Sequence, residues 1–454
     1  MRQHRAGAEK AQYHPHAGKT NNSDSGELPK DGARTMQTLE ATVREKEKVT
    51  RPQFLAWLTA FAGWLFDYYE IALMTFLIVP IAADFGLSSQ QTALLLSLQL
   101  LGIAVGGVVF GYLGDRIGRR RVLMITIVIF GVFTLARAFV TDYNMLVACG
   151  ILAAIGLGGE FGVGQSLVSE AMPASKRGWW GAALYSGVGL GLALAALVGG
   201  YLLPAIGWRW VFAVSCLPIL LAILARFAVP ESDEWEAQSR GERVATDWKL
   251  VRSKLFLKPF FLCLTACAIE FFAFYGVAAL LPKYLIEVQG FSFGKAAWWT
   301  VTVGLSIFLG SVTCGFLADR IGRRLTWCVM ASIAAIGSVL LGIVLKTDAQ
   351  GFLSLPPIFI MYFGTGVAAA FGLVFSEQFP TRVRSLGVGS SLQLGRGLSF
   401  FPPLIAAAVY PVYGYAILVF SGAALFAILA VLGWAFKEGR GRAMADIEAD
   451  FVTS

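Results

Sequence analysis

Twelve apolar segments of bilayer length constrain this chain more than any other feature. A helix needs about 20 apolar residues to cross the hydrocarbon core of a membrane. Only 15% of the residues are charged, whereas a soluble domain carries about 25%. We therefore predict an all-α integral membrane protein with twelve transmembrane helices. The segments, numbered spans 1 to 12, lie near 54–82, 91–113, 122–140, 144–170, 178–202, 208–228, 258–286, 296–317, 326–346, 352–377, 385–410 and 413–436.

Two motifs recur along the chain at nearly the same spacing. Gly-x-x-x-Asp-Arg-x-Gly-Arg-Arg begins at Gly111, between spans 2 and 3, and again at Gly315, between spans 8 and 9, 204 residues later. Ser-Glu-x-x-Pro-x-x-x-Arg begins at Ser169 and again at Ser376. Two different motifs repeating almost in register indicate a duplicated half, so spans 1–6 and spans 7–12 are predicted to be equivalent bundles.

The polar stretches divide the chain and orient it. Lys and Arg are concentrated in the loops on one side, and such loops face the cytoplasm. Both termini lie on that side because the number of spans is even, and we place the protein in the plasma (cell inner) membrane. The predicted domains are a disordered tail (1–50), an N-terminal six-helix bundle (51–229), a linker (230–257), a C-terminal six-helix bundle (258–437) and a second tail (438–454).

The tail and the cysteines offer no metal or redox chemistry. All three histidines lie before residue 17, in a polar segment without apolar periodicity. Met36 is an alternative start, since nothing before it looks folded. The six cysteines fall in apolar segments, which favours simple packing over disulfides or zinc. We expect no metal, no cofactor and no nucleic-acid partner; the proton gradient would be the energy source.

The repeated loop motif resembles the signature loop of the major facilitator superfamily, and the resemblance covers roughly residues 52–437. It implies two six-helix bundles related by a pseudo-twofold axis along the membrane normal, with the substrate site between them near mid-membrane. It also implies a gating role for charged residues at the cytoplasmic helix ends. These are Asp115, Arg116, Arg119, Glu170, Arg177, Asp319, Arg320, Arg323, Glu377 and Arg384. A permanent charged rim that only fixes topology is the alternative.

Five ionisable residues fall near mid-depth of the spans, where charges are expensive and point to function. They are Asp67 and Glu70 in span 1, Glu160 in span 4, Glu270 in span 7 and Arg396 in span 11. No histidine lies in the membrane, so the four acids are the predicted proton carriers. Structural alternatives stay open. Asp67 could make a fixed hydrogen bond, Glu70 could hold span 1 against span 4 or 5, and Glu270 could pair permanently with Arg396.

Arg396 indicates the class of substrate. An arginine near mid-membrane, with Gln393 one turn earlier, could hold a carboxylate through two hydrogen bonds. We predict that Tyr68 and Tyr275 line the same cavity. Arg137 lies close to the outer end of span 3, where we expect its side chain to snorkel to the membrane surface.

Short sequence runs within the spans indicate which members of the superfamily this chain resembles. Gly158-Gly159-Glu160 resembles span 4 of metabolite–proton, sialate and aromatic-acid symporters, and span 5 lacks the Gly-Pro kink typical of drug–proton antiporters. Span 1 departs from the Asp-Gly-x-Asp pattern of aromatic-acid porters. We predict a monomeric transporter, not an enzyme, that imports a small organic anion with protons by alternating access. The alternatives are a sugar or polyol symporter, a proton-coupled efflux antiporter and a transporter-like solute sensor.

Overall fold

The computed structural model describes residues 49–117, 119–171, 177–216, 248–278, 280–347, 352–380 and 383–439. Within these ranges the chain is helical and contains no strand. Nine of the described helices are long and apolar enough to cross a membrane, and two shorter apolar helices cover Met124–Phe139 and Tyr143–Gly159. The predicted all-α membrane fold is confirmed. The tail 1–48, most of the linker and the second tail beyond Gly439 lie outside the described residues.

The first five spans follow the predicted segments within a few residues, and the sixth does so over the part that is described. Span 4 is one uninterrupted helix, whereas span 5 contains a π-helical turn near its outer end. The helices are Arg51–Phe85, Ser89–Ile117, Arg119–Ala136 with the 3₁₀ turn Arg137–Phe139, Tyr143–Ala171, Arg177–Tyr185, Gly187–Leu197 with the π turn Val198–Leu202, and Leu203–Ser215.

Spans 7 to 12 follow the predicted segments equally well, but spans 7, 10 and 11 are interrupted by short turns of other helical types. Their helices are Trp248–Val251, Lys254–Ala278, Leu281–Lys283 with the π turn Tyr284–Val288, Phe293–Ile321, Arg323–Lys346, Leu355–Gly364, the 3₁₀ turn Thr365–Ala370, Phe371–Ser376, Arg384–Gly397, Phe401–Tyr413 and Tyr415–Leu432. The irregular turns were not predicted.

Individual residues explain where spans 1 and 6 begin. At the start of span 1 the side chain of Gln53 accepts a hydrogen bond from the backbone N–H of Thr50 at 2.9 Å, which satisfies a group that the helix itself leaves unpaired. Spans 5 and 6 are separated at Gly207, whose φ of 77° is rarely adopted by residues with a Cβ. The sixth span therefore starts at Trp208, as predicted, and is described as far as Cys216.

The two halves approach most closely where glycines face each other. A Cβ on Gly189 in span 5 would lie 2.2 Å from the carbonyl oxygen of Gly304 in span 8. Small residues permit such close backbone contact between membrane helices. On the outer surface of the bundle, apolar side chains such as Val132 and Ile336 are more than half exposed, as expected of helices that face lipid. Several charged residues are buried in the interior of the protein.

Candidate functional site

Four of the five predicted mid-membrane charges lie in the described side chains, and all four are buried. Asp67, Glu70, Glu270 and Arg396 are between 1% and 3% exposed. The side chain of Glu160 lies outside the described residues, so its predicted role stays a prediction. Burying a charge is costly unless a partner or a ligand compensates it. The partners of these four residues therefore separate the structural charges from the candidate functional ones.

Arg396 lies in a group of aromatic side chains contributed by both halves. Its guanidinium carbon is 5.7 Å from the ring centre of Trp64 and 5.4 Å from that of Tyr68, close enough for cation–π attraction. Tyr68, Tyr275, Asp67 and Tyr185 are all within its electrostatic reach. The structure thus brings together Arg396, Tyr68 and Tyr275, which were predicted to bind substrate.

The guanidinium of Arg396 forms no ion pair with the described residues. None of its three nitrogens makes a hydrogen bond of regular geometry with the described residues. No salt bridge joins Arg396 to Glu270, although both side chains are buried. The alternative of a permanent Glu270–Arg396 pair is therefore absent from this conformation. The guanidinium of Arg396 is therefore a candidate anion-binding group.

Glu270 lines a small pocket between the halves, of about 230 Å³. Tyr68, Tyr185 and Val188 form the N-terminal wall, and residues of spans 7, 8 and 10 form the other wall. The Oε2 atom of Glu270 is buried without a hydrogen-bond partner in the described residues. A carboxylate can only accept hydrogen bonds unless it is protonated, so this pocket is suited to a proton or to a donor group.

A larger cavity of about 690 Å³ opens next to this pocket, and Tyr68 and Phe274 are common to both walls. Most of its lining is apolar, contributed by residues such as Leu96, Leu192 and Val303. An apolar lining of this kind is typical of small-molecule sites. Tyr275 lies on its wall, whereas Arg396 lies on the wall of neither cavity.

Gln393, the fourth predicted substrate ligand, packs against span 2. A Cβ on Gly107 would lie 2.2 Å from the Gln393 side-chain nitrogen, so this contact depends on glycine. Gln393 is 5% exposed, and neither atom of its amide makes a hydrogen bond with the described residues. It lies on neither cavity wall. The structure does not place it with Tyr68 and Tyr275.

Glu70 and Arg137 form a buried ion pair within the N-terminal half. Arg137 donates to a carboxylate oxygen of Glu70 and also to the carbonyl oxygen of Gly150 at 3.2 Å. Its guanidinium carbon lies 5.3 Å from the ring centre of Phe212. The expectation that Arg137 snorkels is wrong, because the side chain is 1% exposed and turned inward. Glu70 anchors span 1 directly to span 3, and span 4 joins the pair through the carbonyl of Gly150.

Part of the predicted charged network at the helix ends is visible in the C-terminal half. Arg323 Nε lies 2.9 Å from Glu377 Oε1, which joins the start of span 9 to the end of span 10. Arg384 donates through Nε to the carbonyl oxygen of Phe379 at 3.3 Å. Arg320 lies over the ring of Phe316, at 4.1 Å from its centre. The predicted gating elements Arg323 and Glu377 are therefore in direct contact.

Asp319 does not join that network, since it is exposed and makes no salt bridge with any described residue. The five predicted gating residues of the N-terminal half have side chains outside the described residues, so their gating roles stay predictions. These five are Asp115, Arg116, Arg119, Glu170 and Arg177.

One residue in contact with Arg323 was not predicted from the sequence to belong to this charged network. Glu438, just after span 12, accepts hydrogen bonds from the backbone N–H groups of Arg323 and Arg324, each at 3.0 Å. These N–H groups open span 9, where the helix dipole favours an anion. An acid followed by glycine at the end of span 12 was the available signal, but its partner lies more than one hundred residues away.

Glu377 lies one residue beyond the end of its membrane helix, and its side chain is buried next to Arg323 and Glu438. Burial raises the pKa of Glu377 to about 6 even though Arg323 acts in the opposite direction, and the nearby carboxylate of Glu438 adds to the rise. The carboxyl therefore changes charge within a range that cells encounter. The charge of this acid therefore depends on the pH on its side of the membrane.

Comparisons with known proteins identify the fold and the type of protein. A profile of the Major Facilitator Superfamily matches residues 54–401. The cis,cis-muconate transport protein of Acinetobacter baylyi is 32% identical over 77% of this chain and 86% of its own. The sialic acid transporter NanX of Escherichia coli is 26% identical over 85% of this chain and 94% of its own. The proton:xylose symporter XylE of E. coli superposes with a TM-score of 0.74 at 20% identity, covering 89% of this chain and all of that one.

Proposed function

We propose that this chain, which belongs to the Major Facilitator Superfamily, imports a small organic anion together with protons. It is a multi-pass membrane transporter for a small molecule and not an enzyme. The observation that carries the proposal is Arg396, a buried cation between the halves that forms no salt bridge with a described carboxylate. A carboxylate on the substrate would supply the missing charge through two parallel hydrogen bonds.

The relatives support an organic anion over a sugar. Muconate and sialic acid, named for two of the similar proteins, are both acids. XylE handles a neutral sugar, but at 20% identity its likeness supports the fold and not the substrate. The cavity next to Tyr68 and Tyr275 has mainly apolar walls. Apolar walls suit a carboxylate with a hydrocarbon body better than they suit a polyol with hydroxyls on every side.

Proton coupling would pass through the buried acids. Glu270 lies in a pocket between the halves, and Asp67 lies in electrostatic reach of Arg396. Arrival of a substrate carboxylate at Arg396 would change the local charge, and protonation of Asp67 or Glu270 would offset it. Glu70 is the weaker candidate because it is already paired with Arg137. The predicted roles of Gln393 and Glu160 rest on the sequence alone.

Alternating access would be rocking of the two halves about the site. The ion pair between Arg323 and Glu377, and its N-terminal counterparts, would bias the protein towards one of the two states. We place the protein in the cell inner membrane as a monomer, with both termini cytoplasmic. It would use the proton gradient and no cofactor.

Uptake into proteoliposomes tests the proposal. The purified protein is reconstituted and given sialate, aromatic acids, short monocarboxylates, dicarboxylates or neutral sugars, with and without an inward proton gradient. We expect an acid to accumulate against its own gradient only when protons flow inward. Accumulation of a neutral sugar alone would contradict the proposal and favour the sugar symporter. Loss of preloaded acid driven by an inward proton gradient would favour an efflux antiporter.

A further inference from the structure

Four residues that follow span 12, Phe436–Gly439, lie across the ends of spans 9 and 10, and we call them the strap. The side chain of Phe436 is 1% exposed. Its ring centre is 4.8 Å from that of Trp327 in span 9 and 5.9 Å from that of Phe375 in span 10. Its carbonyl oxygen accepts a hydrogen bond from the guanidinium of Arg324. Because a buried aromatic ring contributes strongly to packing, Phe436 anchors the strap at its first residue.

Hydrogen bonds to the ends of spans 9 and 10 hold the rest of the strap. The backbone N–H of Lys437 donates to Gln378 Oε1 at 2.9 Å, and its carbonyl oxygen accepts from Gln378 Nε2 at 3.4 Å. Glu438 accepts from the N–H groups that open span 9. Gly439 lies against Glu377, since a Cβ on this glycine would be 2.4 Å from the carboxyl carbon. The strap therefore covers the carboxyl group of Glu377.

Charged groups from several elements surround that carboxyl group. Arg323 Nε, in span 9, lies 2.9 Å from Glu377 Oε1, and the carboxylate of Glu438 is close enough to act on its charge. Arg384, at the start of span 11, directs its Nε to the carbonyl oxygen of Phe379. Burial raises the pKa of Glu377 to about 6, Arg323 opposes that rise, and Glu438 adds to it.

Docking of the strap changes how tightly Glu377 holds its proton. The strap supplies Glu438 and part of the cover over the carboxyl group, and both favour the neutral acid. The N–H of Gly439 favours the ionised form but has the weakest of these influences on the pKa. The strap therefore docks more tightly as the pH falls through about 6. A rise in pKa from 4.5 to about 6 limits the change in the docking equilibrium to about 30-fold.

Span 10 connects the strap to the cavities between the halves. Tyr362 lines the larger cavity and Thr365 lines the pocket of Glu270. The 3₁₀ turn Thr365–Ala370 separates Tyr362 from Glu377 along the same span. Rocking of the halves breaks and remakes contacts at helix ends. A docked strap ties the end of span 10 to spans 9 and 12, so it opposes movement of that end.

We propose that the strap is a pH-sensitive inhibitory contact, which docks more tightly onto spans 9 and 10 when its side of the membrane becomes acidic and then slows transport. The proton acts on Glu377. In the orientation given above the strap is inside the cell, where import of an acid with protons lowers the pH, so transport limits its own rate. This consequence rests on the proposed function, whereas the docking of the strap does not.

Hydrogen exchange in detergent tests the docking without any substrate. Exchange of the strap amides is measured between about pH 5 and 8 and compared with the exchange of an unstructured peptide at each pH. We expect protection of the strap to rise about tenfold from about pH 7.5 to about pH 5. Glu377→Gln keeps this side chain neutral and should give the same protection at every pH. Glu287→Gln is the control, because Glu287 is 43% exposed at the outer end of span 7, and it should behave as the wild type.

A second variant loosens the strap without removing the acid. Gly439→Ala places a methyl group against the carboxyl group of Glu377. This overpacking should lower the protection of the strap about tenfold at every pH. The variant keeps the inference testable if Glu377→Gln does not fold.

Uptake into proteoliposomes tests the effect on transport. Labelled cis,cis-muconate, or another acid of the uptake panel if muconate is not taken up, is supplied at one external pH while the internal pH is set between about 5 and 7.5. At the acidic end, uptake by the wild type should be about threefold slower than uptake by Gly439→Ala, and the two rates should agree at the alkaline end. Comparing the two proteins at each pH cancels the effect of pH on the driving force.

Protection of the strap that does not change with pH, or that changes equally in Glu377→Gln, would overturn the inference and leave the proposed function standing. A constant ratio of the two uptake rates would show that the strap docks without slowing transport, and this too would overturn the inference. If no acid of the panel is taken up, the proposed function fails together with the inhibition of transport, and hydrogen exchange still decides whether docking depends on pH.

Discussion

The protein buries two sets of opposite charges and treats them differently. In the N-terminal half, Glu70 and Arg137 are joined directly, and Arg137 is further held by the carbonyl of Gly150. Between the halves, Glu270 and Arg396 stay apart. A buried pair that satisfies itself holds helices together, whereas buried charges that do not are available to a ligand or a proton. The contrast separates a structural site from a functional one within one membrane domain.

The largest effect should come from breaking the structural pair. Arg137→Ala leaves Glu70 buried without a cation, which we expect to destabilise the protein by about 3–5 kcal/mol. Thermal unfolding in detergent measures the loss. The double variant Glu70→Met with Arg137→Met removes both charges and should recover most of the stability. If the single and double variants were equally unstable, packing and not the charge pair would explain the loss.

Breaking the functional site should affect transport and not folding. Arg396→Ala is expected to lower acid uptake by about 100-fold, because a charge-assisted bidentate interaction with the substrate is lost. Its unfolding temperature should stay within a few degrees of the original. Arg209→Ala provides the control, since Arg209 is 44% exposed and pairs with Asp84 on the outer side. Unchanged uptake in Arg396→Ala would refute the assignment of the site.

Glu377 shares features with both sets of charges. Like Glu70 it is paired with an arginine, Arg323, but it lies beyond the end of its membrane helix. Burial raises its pKa from 4.5 to about 6. The folded protein therefore binds this proton more tightly than the unfolded chain does. Stability from this group is fully present below about pH 4.5 and falls by about 2 kcal/mol as the pH rises through 6. The difference in unfolding free energy between wild type and Glu377→Gln should follow that curve; a difference independent of pH would contradict it.

The smallest expected effects concern two neighbouring tyrosines, one in each of the two regions. Tyr69 bonds Ser215 at 2.8 Å within the N-terminal half, whereas Tyr68 faces Arg396 between the halves. Tyr69→Phe should lower stability by about 1 kcal/mol and leave uptake unchanged. Tyr68→Phe should leave stability nearly unchanged and lower uptake about fivefold. The contrast between the two regions would fail if both variants changed the same property.

Much of this arrangement was predictable because it depends on local sequence. Apolar length located the spans, and the repeated loop motif identified the two halves before any coordinates. Counting along the spans placed Glu270 and Arg396 at a common depth, and the structure places both in one aromatic group. These features depend on residues close in sequence or on the repeat, so a single chain suffices to find them.

The remainder depends on contacts between residues distant in sequence. Arg137 was expected at the membrane surface because it lies near the end of its span, yet its partner Glu70 is 67 residues away and draws it inward. Glu438 similarly reaches the start of span 9 from beyond span 12. The irregular turn Thr365–Ala370 in span 10 contains no proline, and its one glycine, Gly366, does not by itself predict a 3₁₀ turn. Depth along a helix is readable from sequence, but the direction and partner of a side chain are not.

One measurement tests the central contrast most directly. The unfolding temperature is recorded for Arg137→Gln and Arg396→Gln, with and without the acid that gives the highest uptake, because a ligand stabilises only the folded state that binds it. We predict opposite patterns. Arg137→Gln should unfold at a lower temperature but retain the rise caused by the acid, whereas Arg396→Gln should unfold near the original temperature and lose that rise. A normal ligand-induced rise in Arg396→Gln would contradict the account.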